Sequence, residues 1–408
     1  MSSPSCLSRY AAGARRFAVA TALAAAALAA CPSAFAQAEA SRGEASRDSA
    51  PLPGVPPVVD AQNLYSETAA GKFSPATAGA LSRVYVPHVA SGEIVVIDPA
   101  TFAIVDRFNV GGAPQHVVPS YDLKTLWVSG SVAGRGRRGH GLLTAIDPNT
   151  GKAGKSIRID DAYNLYFTPD GRYAIVVAEQ EKRLDFVDPV TMARKKSIAT
   201  PGCSGINHAD ISIDSRYAIF TCEFGGTLVK IDLVALKVVG YLKLSKGGMP
   251  QDIRISPDGS LFYVADMMAD GVFLIDGAAF REVGFVATGV GAHGLYPSRD
   301  GKKLYVANRG SNKINGPARG AGSVSVIDFA TGKVEADWQV PGGGSPDMGN
   351  VSADGKRLWL SGRFDGVVYA FDTTSGAVDV IATGRVPHGL TVWPQPGRYS
   401  LGHTGNMR

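Results

Sequence analysis

Four of the chain's seven histidines stand at the head of short apolar runs that look alike. They are His116 in "QHVVPSYDLKTLWVSGS", His208 in "NHADISIDSRYAIFTCE", His293 in "GAHGLYPSRDGKKLYVANRG" and His388 in "PHGLTVWPQPGRYSLGH". Three more runs carry Asn164, Asp252 and Asp347 at the matching point. Scattered placement would put far fewer than one histidine on seven chosen sites, so the register has a cause. Two kinds of chemistry suit such a set. Imidazoles joined by carboxylates bind transition metals such as copper, iron or zinc. Alternatively, His208, Asp252, His293, Asp347 and His388 alternate in type, so each acid can bond its neighbouring histidines and satisfy the ring from within.

The elements that position these residues follow from a repeat. Seven turns share one pattern: "PSYDLK", "TPDGRY", "SIDSRY", "SPDGSL", "PSRDGKK", "SADGKR" and "WPQPGRY". Each follows a short run such as "NLYF" or "DIRI" and precedes a second apolar run such as "KLYVANR". For the last turn the second run is found at the other end of the chain, as "RVYVPHV". A third run ends in aspartate ("EIVVID", "LVKID", "VSVID"), and a small turn leads to a fourth, such as "KVEADWQV". Four short strands per unit, about 41 to 54 residues apart, predict an all-β seven-bladed β-propeller over residues 82–408. One blade takes its innermost strand from "GLTVWP" and the other three from residues 82–110, so the ring closes by pairing strands from the two ends of the sequence.

"YVANRGSNKI…GSVSVIDFATGKV" and "YVPHVASGEIVVIDPATFAIV" resemble the repeat of the YVTN family of seven-bladed propellers. The resemblance covers the whole body and implies the fold more than an activity. More distantly, the repeats are similar to the haem-binding propeller of cytochrome cd-type nitrite reductases. Nitrous-oxide reductase also carries a seven-bladed propeller, with a histidine-rich copper cluster. Those activities do not transfer on fold alone.

In a propeller the first strand of each blade lines the central channel, so the seven polar residues line one layer of it. Closure sets His388 beside His116. Loops that join second to third strands crown the same mouth, and two are long: "VAGRGRRGHG" and "RGSNKINGPARGAG". They carry Arg135, Arg137, Arg138, Lys313 and Arg319. Arg309 and Arg363 end second strands at matching positions, as do Glu179, Glu223 and Asp266. Guanidinium groups over a channel favour a carboxylate- or phosphate-bearing ligand. Arg309, Arg363, Glu223 and Asn164 are therefore the candidate cofactor-binding residues. His116, His208, His293, His388, Asp252 and Asp347 are the candidate metal ligands. His88 ends a second strand at the same mouth and reads as an auxiliary ligand, while His140 and His403 read as surface residues. Cys203 and Cys222 flank one blade's first two strands and fit a disulfide, with a thiolate copper site as the alternative.

Residues 1–36 have the form of a secretory signal. Arg9, Arg15 and Arg16 precede an apolar run too short to span a bilayer, and Ala34-Phe35-Ala36 fits cleavage after Ala36. "LAAC" offers a second route, a lipid anchor on Cys31, the one way the chain would reach a membrane. The expected location is periplasmic or secreted. Residues 37–81 are rich in Ala, Ser, Pro and Gly and read as a flexible leader. The net charge of +5 includes the three arginines of the signal, so nothing points to nucleic acid. No G-x-S-x-G elbow, zinc-protease spacing or C-x-x-C-H attachment is present, which excludes covalent c-type haem but not a non-covalent haem-like group. Three functions fit. The first is a monomeric binding propeller for a metal or metallated anionic cofactor. The second is a scaffold for an envelope protein, with a structural ring. The third is a metal-dependent oxidoreductase, or a lyase using His and Glu as acid and base.

Overall fold

The computed structural model describes residues 52–131, 140–314 and 318–408. Its strands form seven antiparallel sheets arranged as a propeller. Blade 1 holds Arg83–His88, Glu93–Ile97 and Ile104–Asn109, with Thr391–Trp393 added as its innermost strand. The other blades run in chain order: blade 2 over 113–159, blade 3 over 164–199, blade 4 over 206–243, blade 5 over 250–287, blade 6 over 292–339 and blade 7 over 346–382. The expected closure is present, with Tyr85 opposite Thr391 and Arg83 opposite Trp393.

Burial follows position in the blade. Inner strands such as Pro250–Ile255 and Leu261–Asp266 are buried along their whole length, because neighbouring blades cover both faces. That is why second strands such as Leu261–Asp266 read as near-continuous apolar runs, while the innermost strand Pro250–Ile255 buries Gln251, Asp252 and Arg254 as well. Outermost strands such as Lys237–Lys243 alternate between exposed and half-buried, which is why their sequences alternate. The core lies between blades: Leu184 and Phe186 of blade 3 share a cluster with Phe220 and Val229 of blade 4. The recurring aspartate that ends third strands makes an Asx turn. Asp232 accepts from the amides of Val234 and Ala235, both at 2.8 Å. Cys203 and Cys222 are bonded across blade 4, 19 residues apart in sequence. Closing a loop of that length contributes about 3 kcal/mol in the chain-entropy account.

Two segments depart from expectation. Residues 52–81 are not a flexible leader but a strap across the mouth that carries the turns between first and second strands. Leu64 and Tyr65 are buried, and the Tyr65 hydroxyl donates to the Ile255 carbonyl at 2.6 Å. The Leu64 amide bonds Pro257 at 2.8 Å, and Leu81 bonds Pro148 at 2.9 Å. Two apolar anchors and backbone bonds to several blades suffice where composition alone suggests disorder. The second departure is the segment after Trp393. Ser400–Gly402 and Asn406–Met407 form a hairpin inside the channel, and Gly402 pairs with Tyr166 on the innermost strand of blade 3.

Candidate metal centre in the channel

Side chains two apart on a strand share a face, so each innermost strand offers the channel a polar residue and another below it. His208 stands above Asp210, and Asp252 above Arg254. All seven aligned residues are buried. They divide into two unlike groups.

Asp347 is the hub of the first. Arg309 donates to Asp347 Oδ1 through Nη2 at 2.6 Å and Nε at 3.2 Å. His388 Nδ1 lies 2.8 Å from Oδ2. His293 Nδ1 stands 2.9 Å from Oδ1, off the ideal hydrogen-bond direction, while its Nε2 meets Arg309 Nη2 at 2.6 Å. Arg363 Nη1 is 3.8 Å from Oδ2. Burial pushes the Asp347 carboxyl up, but Arg309, His293 and His388 outweigh it and hold it well below the usual carboxylate range. Burial drives both histidines down, His388 to about 3. This half is a carboxylate with its acceptor capacity already used.

Asp252 is likewise engaged. Arg254 Nη1 lies 3.0 Å from its Oδ1, and the Leu295 amide donates to Oδ2 at 3.0 Å. The residues that remain are neutral. His116 and His208 face a third histidine, His403, from the tip of the hairpin. One nitrogen from each of the three lies within 4.8 Å of the others. Ring centroids are 5.3 Å apart for His116–His208, 5.2 Å for His116–His403 and 4.3 Å for His208–His403. Burial holds all three pKa values well below the ordinary imidazole range, so they are neutral at pH 7. Both nitrogens of His116 and Nε2 of His208 have no hydrogen-bond partner among the described residues. His403 Nε2 is 3.4 Å from Asp252 Oδ1 but not aligned to bond it. Asn164 sits behind the cluster, with its Nδ2 3.1 Å from His208 Nδ1 and 2.9 Å from His403 Nδ1.

His403, expected at the surface, is wholly buried. The hairpin carries it there: its amide donates to the Leu165 carbonyl at 3.0 Å, while Asn406 and Arg408 bond Asp210 at 3.1 and 3.0 Å. His388 does adjoin His116, with centroids 4.9 Å apart. His88 lies elsewhere, with Nδ1 on the Arg385 carbonyl at 3.2 Å, and His140 is exposed.

At the strand-start mouth, Glu223 is held by Asn207 and Gln251, each at 3.0 Å. Burial raises both Glu223 and its neighbour Glu179, and repulsion from Glu223 and Asp161 raises Glu179 further. Tyr163 separates this layer from the cluster, 5.2 Å from the His116 ring and 5.9 Å from His208. In this layer the Nε and Nη1 atoms of Arg363 make no hydrogen bond among the described residues, and Nη1 has only the longer ion-pair contact with Asp347. Asp266 instead caps a turn through the amides of Met249, Met268 and Ala269. Arg319 pairs with Asp270. Arg135, Arg137 and Arg138 lie outside the described residues.

A family model described as the YNCE-like beta-propeller matches residues 45–396. The chain belongs to the YncE-like β-propeller family. YncE of Salmonella typhi is 23% identical over 287 residues, covering 66% of this chain and 74% of that protein. Among solved structures, the dihydro-heme d1 dehydrogenase NirN in complex with DHE superposes with a TM-score of 0.56 at 15% identity, over 79% of this chain and 77% of that one. Hydrazine synthase of Kuenenia stuttgartiensis gives 0.51 at 22% identity, over 65% and 78%. At these identities the structural likeness speaks for the fold alone. In this YncE-like propeller the family match stops before the hairpin, at residue 396. His403 had one signal in the sequence: "SLGHTGNM" places a glycine-flanked dipeptide between two short runs, the mark of a tight hairpin.

Proposed function

We propose that this YncE-like propeller is an exported binding protein that holds a transition-metal ion on His116, His208 and His403. The observation that carries this is the enclosed set of three neutral imidazoles with nitrogens unbonded and within 4.8 Å of one another. Buried polar atoms normally find partners, and leaving one unmade costs about 1–3 kcal/mol. An ion would supply the missing partner. Neutral imidazole suits copper, zinc and iron. The donor set fits a bare ion rather than a haem-like group, since three wholly buried rings this close leave no space for a macrocycle. Above it, the unbonded edge of Arg363, with Glu223 and Tyr163, suits a small carboxylate- or phosphate-bearing ligand.

Asn164 gives the metal reading a sharper form. As placed, its amide donates to both Nδ1 atoms, so each proton sits on Nε2. Binding an ion through Nε2 moves that proton to Nδ1, where an acceptor is then wanted. Asn164→Asp should therefore tighten zinc or copper binding by about tenfold or more. In calorimetric titrations of the same ions, His116→Ala with His208→Ala should weaken binding beyond the ~10–100-fold typical of losing one outer-shell partner. His293→Ala, in the Asp347 network, should leave it nearly unchanged. Unchanged affinity in the double variant, with a lowered melting temperature, would favour a scaffold with a structural ring. The self-satisfied Asp347 half supports that second reading for its own side of the channel.

The reading of an exported protein rests on residues 1–36. Mass spectrometry of protein from its native cell should find a mature chain beginning at Gln37. An acylated Cys31 would make it an anchored envelope protein instead, and an intact Met1 would overturn export.

A further inference from the structure

We infer that metal binding and insertion of the His403 hairpin are one coupled equilibrium: the ion locks the hairpin tip in the channel, and its loss frees the tip. This rests on the metal reading above. Two ligands belong to blades 2 and 4, whereas the third belongs to an element outside the four-stranded repeat. The cluster is therefore complete only while the hairpin is inserted.

The backbone at the tip supports this. His403, Thr404 and Gly405 have φ values of 32°, 20° and 85°. These three residues close the loop between the paired Gly402 and Asn406, and positive φ disfavours side chains with a Cβ. A histidine followed by a β-branched threonine is a poor choice for the turn and a sensible one for placing an imidazole. Strain of this kind concentrates at functional positions.

The base of the hairpin packs into the core through Tyr399, Leu401 and Met407, whereas its tip residues His403, Thr404 and Asn406 bring no large apolar side chain. The hairpin's backbone bonds to the channel wall include His403 N to Leu165 O at 3.0 Å and Ser400 N to Tyr121 O at 3.3 Å. Side chains add Asn406 and Arg408 on Asp210, and Asn350 on the Thr404 carbonyl. A tip with few buried apolar contacts opens locally more readily than its base. The base is fixed by the strap, through Gly397 N to Lys72 O at 2.9 Å and Arg398 beside Glu67. A cavity of about 20 Å³, room for a single water, lies at that base and is lined in part by Leu64, Ile213, Tyr399 and Arg408.

Linkage makes the coupling reciprocal: what loosens the hairpin must weaken the metal by the same factor. The test uses the mature full chain with zinc or copper. Hydrogen exchange of the peptide spanning 399–408 should slow by about tenfold or more on loading, while the strand at 217–222 stays unchanged. Asn406→Ala with Arg408→Ala touches no ligand, yet should lower metal affinity by about 5- to 150-fold. Gly402→Ala, whose new Cβ would lie 2.4 Å from the Leu165 carbonyl oxygen, should do the same. If wild type binds metal but hairpin exchange and the variants' affinities do not move, the coupling is wrong and the metal site stands. If wild type binds neither ion, the metal reading falls and takes the coupling with it.

Discussion

On acidification below about pH 6.5, the ordinary imidazole value, the metal-free propeller should lose stability steeply. His88, His116, His208, His293, His388 and His403 all have pKa values lowered chiefly by burial. The unfolded chain takes up their protons near the ordinary value and the folded chain does not. Stability then rises with pH wherever the unfolded state binds more protons, so it falls as pH drops below 6.5. The five channel histidines alone would approach about 7 kcal/mol per pH unit at the steepest. Acids act against this. Glu179, Glu223, Asp161 and Asp266 have folded pKa values raised by burial, so they favour the folded state at low pH and lose that contribution as pH rises through those values. Even with all four protonated in the folded state, the net stays against folding, at about 1 kcal/mol per unit from the five channel histidines and at most about 3 with His88 added, within a total near 5–15. Urea midpoints measured from pH 8 to pH 5 should fall throughout the lower half. A flat profile would mean that the channel imidazoles are solvated or charged in the folded protein.

Deleting residues 389–408 should abolish cooperative folding, whereas deleting 396–408 should leave a folded ring. The longer deletion removes Thr391–Trp393, which pairs with Arg83–Tyr85. Trp393 is wholly buried, and losing a buried tryptophan side chain costs about 3–5 kcal/mol. Leu390 and Val392 leave with it, as do the bonds from Thr391 Oγ1 to Val117 at 2.7 Å and from the Val392 amide to Asn350 at 2.8 Å. Together these exceed what a domain of ordinary stability can lose. The shorter deletion keeps the closing strand but removes the buried Tyr399, Leu401 and Met407, so it should lower the melting temperature, leave the transition cooperative and open the channel. Thermal melts followed by circular dichroism separate the cases. A long deletion that melts cooperatively near the wild-type temperature would show that the ring does not depend on its closing strand.

These contrasts also show what the amino-acid order could tell. The repeat put His116, Asn164, His208, Asp252, His293, Asp347 and His388 in one layer because strand register is set by burial, and burial recurs in every blade. It could not divide the layer. Asp347 and Asp252 look alike in a repeat alignment, yet one meets Arg309 and two histidines while the other meets Arg254, two residues along its own strand. Such differences arise from neighbours across blades. The hairpin was missed because it occurs once, so no repeat frames it. The strap was missed because Leu64 and Tyr65 are two anchors in an otherwise polar stretch, and average composition hides them.

The closing strand also sets the order in which this fold can form. Tyr85 and Thr391 are roughly 300 residues apart, so joining them in an otherwise unstructured chain costs ~5 kcal/mol of loop entropy before any contact rewards it. Blades 2 to 7 are local and can form as the chain is made. Blade 1 cannot. Until the last part of the sequence arrives, Arg83–His88 presents an unpaired apolar edge to its surroundings. The same edge is open to the equivalent strand of a second copy when chains are concentrated. Exchange of the 391–408 segment is thus a misassembly this architecture allows, and each copy in such a dimer would complete its histidine cluster with its partner's hairpin.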